Sequence, residues 1–223
     1  MGRYDDYKRQ VLEYSQTLSR KGYLVGTGGN LSVRIEGEEA LAVTPSNFDY
    51  LAMSLDDICI VSWDQRPIEG ERKPSVETGL HTTVYQNRPD VNAVIHTHQQ
   101  YASVFSLINQ PIPALYDEQV RFLGRSVEIV PYRPSGTGLL KKQVASKLHN
   151  KCNAYILQNH GALCLGITAE RAAFNVELLE KCALTYLLAL CTEKKVSRIP
   201  LAVREIAFAK LRQDQKKEEA RKL

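Results

Sequence analysis

The sequence predicts an α/β protein with helices on both faces of a β-sheet. The chain has 223 residues, a length that favours one domain over residues 1–223. It is 43% hydrophobic and 24% charged, which is typical of a globular protein with a sizeable core. Short apolar segments alternate along the chain with segments of helical periodicity, and this alternation predicts helices packed against a sheet.

The N-terminal half begins with a helix and continues with short strands. Apolar residues recur at helical spacing from Tyr7 to Leu18, and the helix stops at Gly22. A glycine-rich turn follows at residues 26–30. Turn residues then separate apolar segments that we expect to form strands at 31–35, 41–43 and 58–61.

The C-terminal half alternates strands and helices more regularly. Ser75 is the predicted N-cap of a helix that runs to about Asn87, and Thr168 caps a long helix to about Cys191. A further helix is expected at 138–149. The expected strands cover residues 91–98, 127–130, 154–158 and 163–165. From about residue 205 to 223, basic and acidic residues mix in what we interpret as a solvated C-terminal helix or tail.

Charge and cysteine usage exclude several classes of protein. The net charge is +4, and the charged tail carries both signs, so no nucleic acid and no membrane surface is expected as a partner. The five cysteines show no paired spacing, which favours reduced, buried thiols in a cytoplasmic protein. We expect neither a signal peptide nor a membrane span, because no apolar segment approaches the roughly 20 residues that cross a bilayer.

Two histidines at the end of a predicted strand indicate a metal site. Side chains on a strand alternate with period two, so His96 and His98 point to the same side. A catalytic zinc site needs a third protein ligand and one open position. His160 suits that role, since it follows an apolar strand and precedes Gly161. His81 is the competing candidate.

Near the start of the predicted helix at residue 75 lie a carboxylate and several anion-binding candidates. Glu77 has two interpretations: a carboxylate favoured by the helix dipole, or an acid/base beside the metal. Ser75 and the backbone N–H groups of Val76 and Glu77 could bind an anion together with Asn30 and Ser46. Ordinary turn and cap chemistry would also explain these residues.

Taken together, these segments resemble the class II aldolase/adducin family. They occur in the family order and span most of the chain. The matching segments are Gly28-Gly29-Asn30-Leu31-Ser32-Val33-Arg34, Thr44-Pro45-Ser46, Lys73-Pro74-Ser75-Val76-Glu77, Pro89-Asp90-Val91, Val94-Ile95-His96-Thr97-His98 and Gln158-Asn159-His160-Gly161-Ala162.

The resemblance implies a three-layer α/β/α sandwich with a mainly antiparallel or mixed central sheet, often assembled as a tetramer with active sites between subunits. It implies an aldolase that cleaves a ketose 1-phosphate to dihydroxyacetone phosphate and an aldehyde through a metal-stabilised enediolate. A decarboxylase, dehydratase or epimerase using the same metal site is the alternative enzyme, and an adducin-like interaction module is the alternative outside enzymes. Family epimerases tend to have aspartate where this chain has Glu77.

The resemblance also implies roles for individual residues. The zinc ligands would be His96, His98 and His160, with Mn²⁺, Fe²⁺ or Co²⁺ as other possible ions. Glu77 would be the acid/base, and Tyr116, reaching in from a neighbouring subunit, the proton donor. The implied phosphate pocket contains Gly28, Asn30, Ser46, Asn47, Ser75 and Val76. It departs from the family in two places, since Asn47 stands where glycine is frequent and Val76 where a second serine is frequent.

Overall fold

The structure is a computed structural model, and it describes residues 2–222. Within these residues, the strands are β1 (Asn30–Arg34), β2 (Ala40–Val43), β3 (Cys59–Ser62), β4 (Pro67–Glu69), β5 (Ala93–Thr97), β6 (Glu128–Val130), β7 (Ala154–Leu157) and β8 (Gly161–Gly166). They form one sheet in the order β4-β3-β2-β1-β5-β8-β7-β6. Neighbouring strands are antiparallel except β6 and β7, which are parallel. The sheet is therefore mixed and mainly antiparallel.

Helices cover both faces of this sheet. They are α1 (Asp5–Arg20), α2 (Thr78–Asn87), α3 (Gln100–Ile108), α4 (Asp117–Phe122), α5 (Gly138–Lys147), α6 (Ala169–Cys191) and α7 (Leu201–Arg221). Buried apolar side chains pack α1, α3 and α6 against one face, and a second cluster packs α2, α5 and α7 against the other. The predicted three-layer α/β/α sandwich is confirmed.

The alternation of side chains along β5 decides where the first histidine points. Ala93 and Ile95 join the core beneath α1, α3 and α6, whereas Val94 joins the core on the opposite face. Because strand side chains alternate with period two, His96 lies on the same face as Val94. That is the face covered by α2, and Glu77 immediately precedes α2.

Two predicted helix caps have different outcomes. The Thr168 cap is confirmed, since its Oγ1 accepts a hydrogen bond from the N–H of Arg171 at 3.1 Å. Helix α2, however, begins at Thr78, later than predicted. Ser75 stabilises the turn before it: its Oγ accepts from the N–H of Glu77 at 3.3 Å, and its carbonyl accepts from the N–H of Thr78 at 3.0 Å.

Strand β4 and helices α3 and α4 were not predicted from the sequence. All residues of β4 are exposed, so the strand shows no apolar alternation. Helix α4 has 6 residues, too few for a helical period to be visible. Helix α3 has its capping group on another helix, so no cap is visible in its own sequence. Glu180 of α6 accepts hydrogen bonds from the N–H groups of Tyr101 at 2.8 Å and Ala102 at 2.9 Å.

The C-terminal segment forms a helix, but the expectation that it is solvated was wrong for one side of that helix. Phe208 and Leu211 of α7 are buried in the core. Gln215 is also fully buried, and its Nε2 donates to the carbonyl of Lys151 at 3.0 Å. The charged residues therefore occupy only the outer side of a packed helix.

The cysteines are all unpaired in the described chain, and their burial was predicted correctly with one exception. Cys191 is exposed at the end of α6, whereas the other four are buried: Cys59, Cys152, Cys164 and Cys182.

None of the helices within residues 2–222 has the length and apolar character needed to cross a membrane.

Candidate metal centre

Three histidines from adjacent strands meet at one end of the sheet. His96 lies in β5 and His98 follows it, while His160 lies in the turn between β7 and β8. The register of β5 and β8 pairs Thr97 with Ala162, which brings that turn beside the end of β5. As a result, one ring nitrogen from each histidine lies within 4.8 Å of the other two.

Hydrogen-bond contacts fix which ring nitrogens of His96 and His98 face each other. Nδ1 of His96 lies 2.8 Å from the carbonyl oxygen of Ala162, to which it can donate, so Nε2 faces the other histidines. Nε2 of His96 and Nε2 of His98 are 3.0 Å apart. Burial lowers the pKa of His96 to about 4 and also lowers the pKa of His98. Both imidazoles are therefore favoured in the neutral form that binds metals.

Two glycines make room for the histidine rings. A Cβ on Gly161 would lie 2.4 Å from the carbonyl oxygen of Thr97 and 2.7 Å from Cδ2 of His98. A Cβ on Gly28 would lie 2.9 Å from Nδ1 of the same His98 ring. Since real Cβ atoms do not approach other atoms this closely, a side chain at either position would displace His98.

Glu77 presents its carboxylate to the three histidines. Its Oε2 lies 3.3 Å from Nε2 of His96, and its Oε1 lies 3.4 Å from Nε2 of His160. Asn30 Nδ2 donates to Oε2 at 2.9 Å, and Ser135 Oγ donates to Oε1 at 2.6 Å. Burial alone would raise the pKa of Glu77, but the adjacent His96 and these two hydrogen bonds hold it below its ordinary value.

This set of donors fits a divalent cation. Three imidazoles that converge on one point are the protein ligands of a catalytic zinc site, which keeps a further position open for water or substrate. Within residues 2–222, Nδ1 of His160 is buried without a hydrogen-bond partner. The adjacent Glu77 carboxylate adds the negative charge that favours a cation here.

His81, the competing histidine, lies outside this group. Its ring is fully buried, and its Nδ1 lies 2.7 Å from Ser32 Oγ, which in turn lies 2.7 Å from the hydroxyl of Tyr85. Burial lowers the pKa of His81 to about 3. His81 therefore belongs to a buried, neutral hydrogen-bond network between α2 and β1, and the structure does not group it with the other three histidines.

Hydrogen bonds join the glycine-rich turn at residues 26–30 to the turn that contains Ser46 and Asn47. Thr27 Oγ1 donates to Oδ1 of Asn47 at 3.0 Å, and the Tyr50 hydroxyl donates to the carbonyl of Gly29 at 2.5 Å. Asn47 has a φ of 54°, a left-handed conformation that glycine adopts freely and asparagine tolerates. Asparagine in place of the family's frequent glycine therefore keeps this backbone conformation.

Other candidates for the anion pocket occupy neighbouring segments. An antiparallel β-bridge joins Pro45 to Pro74. Beside it, the N–H of Ser46 donates to the carbonyl of Lys73 at 2.8 Å, and the N–H of Ser75 donates to the carbonyl of Thr44 at 3.2 Å. Val76 is exposed. Asn30, by contrast, directs its amide to Glu77, which places it beside the carboxylate and the metal ligands.

Tyr116 lies in a different region of the same chain. It precedes α4, is 42% exposed, and lines a surface depression with Tyr186 and Ile199. None of the three histidines and no atom of Glu77 lines that depression. Its assignment as a proton donor that acts in a neighbouring subunit stays a prediction.

Sequence reasoning missed two polar residues at this end of the sheet. Ser135 contacts Glu77 from a loop after β6, and Thr27 contacts Asn47 from the glycine-rich turn. The Pro-Ser-Gly sequence at 134–136 is a turn signal. That signal locates a loop but not the element that the loop contacts.

Comparison with known proteins identifies the family. The family model described as "Class II Aldolase and Adducin N-terminal domain" matches residues 9–187. The chain belongs to this family. It is 33% identical over 180 residues to the 5-deoxy-D-ribulose 1-phosphate aldolase of Bacillus thuringiensis serovar kurstaki, covering 80% of this chain and 83% of the relative. It is 35% identical over 187 residues to the L-fuculose phosphate aldolase of Methanocaldococcus jannaschii, covering 84% and 99%.

A solved structure of an L-fuculose 1-phosphate aldolase superposes on this class II aldolase fold with a TM-score of 0.87 at 32% identity. The superposition covers 93% of this chain and 96% of the other. The family match includes all three histidines, Glu77 and both turns, but it ends within α6. Helix α7 therefore lies beyond the part of the chain that defines the family.

Proposed function

We propose that this protein is a divalent-metal-dependent aldolase that cleaves a ketose 1-phosphate to dihydroxyacetone phosphate and an aldehyde. The observation that carries the proposal is the placement of the Glu77 carboxylate 3.3 Å and 3.4 Å from ring nitrogens of His96 and His160. Membership of the class II aldolase family and relatives named as sugar-phosphate aldolases support the same reaction class.

His96, His98 and His160 would hold the ion, and the all-nitrogen ligand set favours Zn²⁺, with Mn²⁺, Fe²⁺ or Co²⁺ as alternatives. A divalent ion bound there supplies a Lewis acid for the substrate carbonyl and its adjacent hydroxyl. The protein itself aims the ligands, since the Ala162 carbonyl fixes the ring of His96.

Glu77 is the proposed acid/base for the carbon next to the carbonyl. In the synthetic direction, the carboxylate removes a proton from that carbon: the C–H bond breaks and an O–H bond forms on Glu77. In cleavage, Glu77 returns the proton to the same carbon. The hydrogen bonds from Asn30 and Ser135 stabilise the ionised form that must accept the proton.

The phosphate pocket is proposed at the two linked turns and the segment before α2. Ser46, Asn47 and Ser75 contribute short polar side chains there. Gly28 contributes close backbone approach without a Cβ, since its own N–H donates to the carbonyl of Val25 at 3.0 Å. Val76 offers its backbone N–H but no hydroxyl. A carboxylate could use the same donors, and for that reason a decarboxylase is the competing function.

Tyr116 is the proposed proton donor for the hydroxyl that becomes the aldehyde, acting from a neighbouring subunit of a homo-oligomer, with a tetramer favoured. Light scattering should give a multiple of the mass of one chain. Mixed subunits of Tyr116→Phe and Glu77→Gln should regain part of the activity that each lacks, and no recovery after proven subunit exchange would refute a shared site.

The substrate assignment is tested by comparing substrates of matched carbon skeleton. We expect cleavage of ketose 1-phosphates and little cleavage of the free ketoses. Ser46→Ala should raise KM for the phosphate ester, with Ser146→Ala, an exposed serine on α5, as the control. Equal turnover of the free sugar, or turnover of a hydroxy acid with release of carbon dioxide, would reassign the enzyme to another reaction. Zinc-loaded protein inactive on every substrate would favour an adducin-like module.

A further inference from the structure

The loop between β6 and α5, residues 131–137, contacts two segments of the candidate metal centre. At its start, the N–H of Tyr132 donates to Oε1 of Gln158 at 3.0 Å, two residues before His160. Near its end, Ser135 Oγ donates to Oε1 of Glu77 at 2.6 Å. The loop is thus attached both to the segment that carries a metal ligand and to the proposed acid/base.

The backbone after Ser135 supports this contact. Gly136 has a φ of 72°, a left-handed conformation that lets the chain reverse direction. Thr137 then caps α5, where its side chain accepts a hydrogen bond from the N–H of Leu140. A turn anchored on the following helix therefore presents the Ser135 hydroxyl to Glu77.

The two groups that donate to Glu77 differ in chemistry. The amide nitrogen of Asn30 can only donate, so Oε2 of Glu77 is held as an acceptor. The hydroxyl of Ser135 can rotate, donating to a carboxylate or accepting from a carboxylic acid. Of these two donors, Ser135 is thus the one that suits both protonation states of Glu77.

We propose that Ser135 is a positioning residue that holds the Glu77 carboxyl group in place while it exchanges a proton with the substrate carbon. When Glu77 is ionised, the hydroxyl donates to Oε1. When the carboxyl has taken the proton from the substrate carbon, the hydroxyl turns and accepts from the new O–H. Ser135 neither gains nor loses a proton in the step. This inference rests on the proposed acid/base role of Glu77.

The test compares zinc-loaded wild type, Ser135→Ala, Ser135→Thr and the control Ser146→Ala. Dihydroxyacetone phosphate is incubated in D₂O without aldehyde, and deuterium incorporation next to the carbonyl is followed by NMR. A hydrogen bond to a charged group contributes enough that its loss should slow exchange and kcat by about 10-fold to 100-fold. KM and zinc content should be little changed, and Ser135→Thr and Ser146→Ala should exchange like wild type.

Crystal structures of the same zinc-loaded proteins provide a readout that needs no turnover. We expect the Glu77 carboxylate to rotate in Ser135→Ala and to keep its position in Ser135→Thr. Wild-type exchange rates in Ser135→Ala, or an unmoved carboxylate, would overturn the positioning role. If wild type incorporates no deuterium at all, the proposed aldolase function fails, and the position of the carboxylate still decides whether Ser135 orients Glu77.

Discussion

Strand β5 has a buried polar cluster at each end, and the two clusters differ in how completely their groups are paired. Before the strand, Arg88 and Asp90 are both fully buried, and every nitrogen of the guanidinium donates a hydrogen bond. Two of those bonds go to the Asp90 carboxylate, and the others reach the carbonyl of Cys152 and the side chain of Asn153.

The cluster after the strand is left open. The ring nitrogens of His96 and His98 face each other at 3.0 Å. Within residues 2–222, Nδ1 of His160 and Oδ1 of Asn30 are buried without partners. Buried polar groups are normally satisfied inside the protein. At this end of the strand, ring nitrogens of three histidines lie within 4.8 Å of one another, a grouping that suits an external cation. The fully paired cluster of Arg88 and Asp90 stabilises the fold, whereas the histidine cluster has groups available to bind a ligand.

The largest effect is expected from removing two groups of the open cluster. A His96→Ala, His98→Ala double variant should lose its bound divalent ion and with it all measurable cleavage activity. Elemental analysis of the purified protein checks this, with about one ion per chain expected in wild type. The variant should still unfold cooperatively. Stoichiometric metal in the double variant would show that the ion is held elsewhere.

Removing only the charge of the carboxylate should be less severe. Glu77→Gln keeps the shape of the side chain but cannot accept a proton, so kcat should fall by about 10²-fold to 10⁴-fold while metal content is retained. Glu71→Gln, an exposed glutamate on the segment before α2, is the matched control and should stay active. A Glu77→Gln protein with wild-type kcat would assign proton exchange to another group.

Substitutions in the cluster of Arg88 and Asp90 should lower the stability of the fold and leave the catalytic activity unchanged. Asp90→Asn leaves the buried charge of Arg88 uncompensated, and we expect a loss of about 3–5 kcal/mol in the free energy of unfolding. Activity per folded molecule should be unchanged. Urea unfolding measures the difference, and exposed Asp56→Asn is the control. A loss of catalysis without a loss of stability would contradict the contrast between the two ends of β5.

The same pair predicts a pH dependence. Burial alone would raise the pKa of Asp90, but hydrogen bonds and the positive charge of Arg88 hold it below the ordinary value of 3.8. Because the folded pKa is lowered, the stabilisation is complete above that ordinary value and is lost as the pH falls through the folded pKa. Wild type should therefore lose more stability between neutral and strongly acidic pH than Asp90→Asn does.

The smallest effect is expected from placing a methyl group against the ring of His98. In Gly28→Ala the new methyl group would lie 2.9 Å from Nδ1 of His98, so the ring must shift. Changes next to metal ligands typically weaken metal affinity by about 10-fold to 100-fold. Competition with a chelator measures it. Gly138→Ala, where a Cβ meets open space, is the control, and equal affinities would mean that His98 is free to adjust.

The elements and residues that the sequence predicted well are those with a regular or ordered pattern. Helical spacing from Tyr7 to Leu18 anticipated α1, and Thr168 anticipated the start of α6. His96 and His98 share a face because strand periodicity requires it. The family motifs occur in order along the chain, and that order predicted the class II aldolase fold.

Only the tertiary structure decided which segments that are distant in the sequence contact one another. Spacing left both His81 and His160 as candidates for the third ligand, and it is the pairing of β5 with β8 that brings His160 to the other two. Glu180 starts α3 from 78 residues away, and Ser135 reaches Glu77 across a separation of 58. Periodicity and capping act within a few residues along the chain. Which side chains meet between separate strands and loops follows from sheet order and core packing, because burial of apolar surface does not depend on direction or on sequence distance.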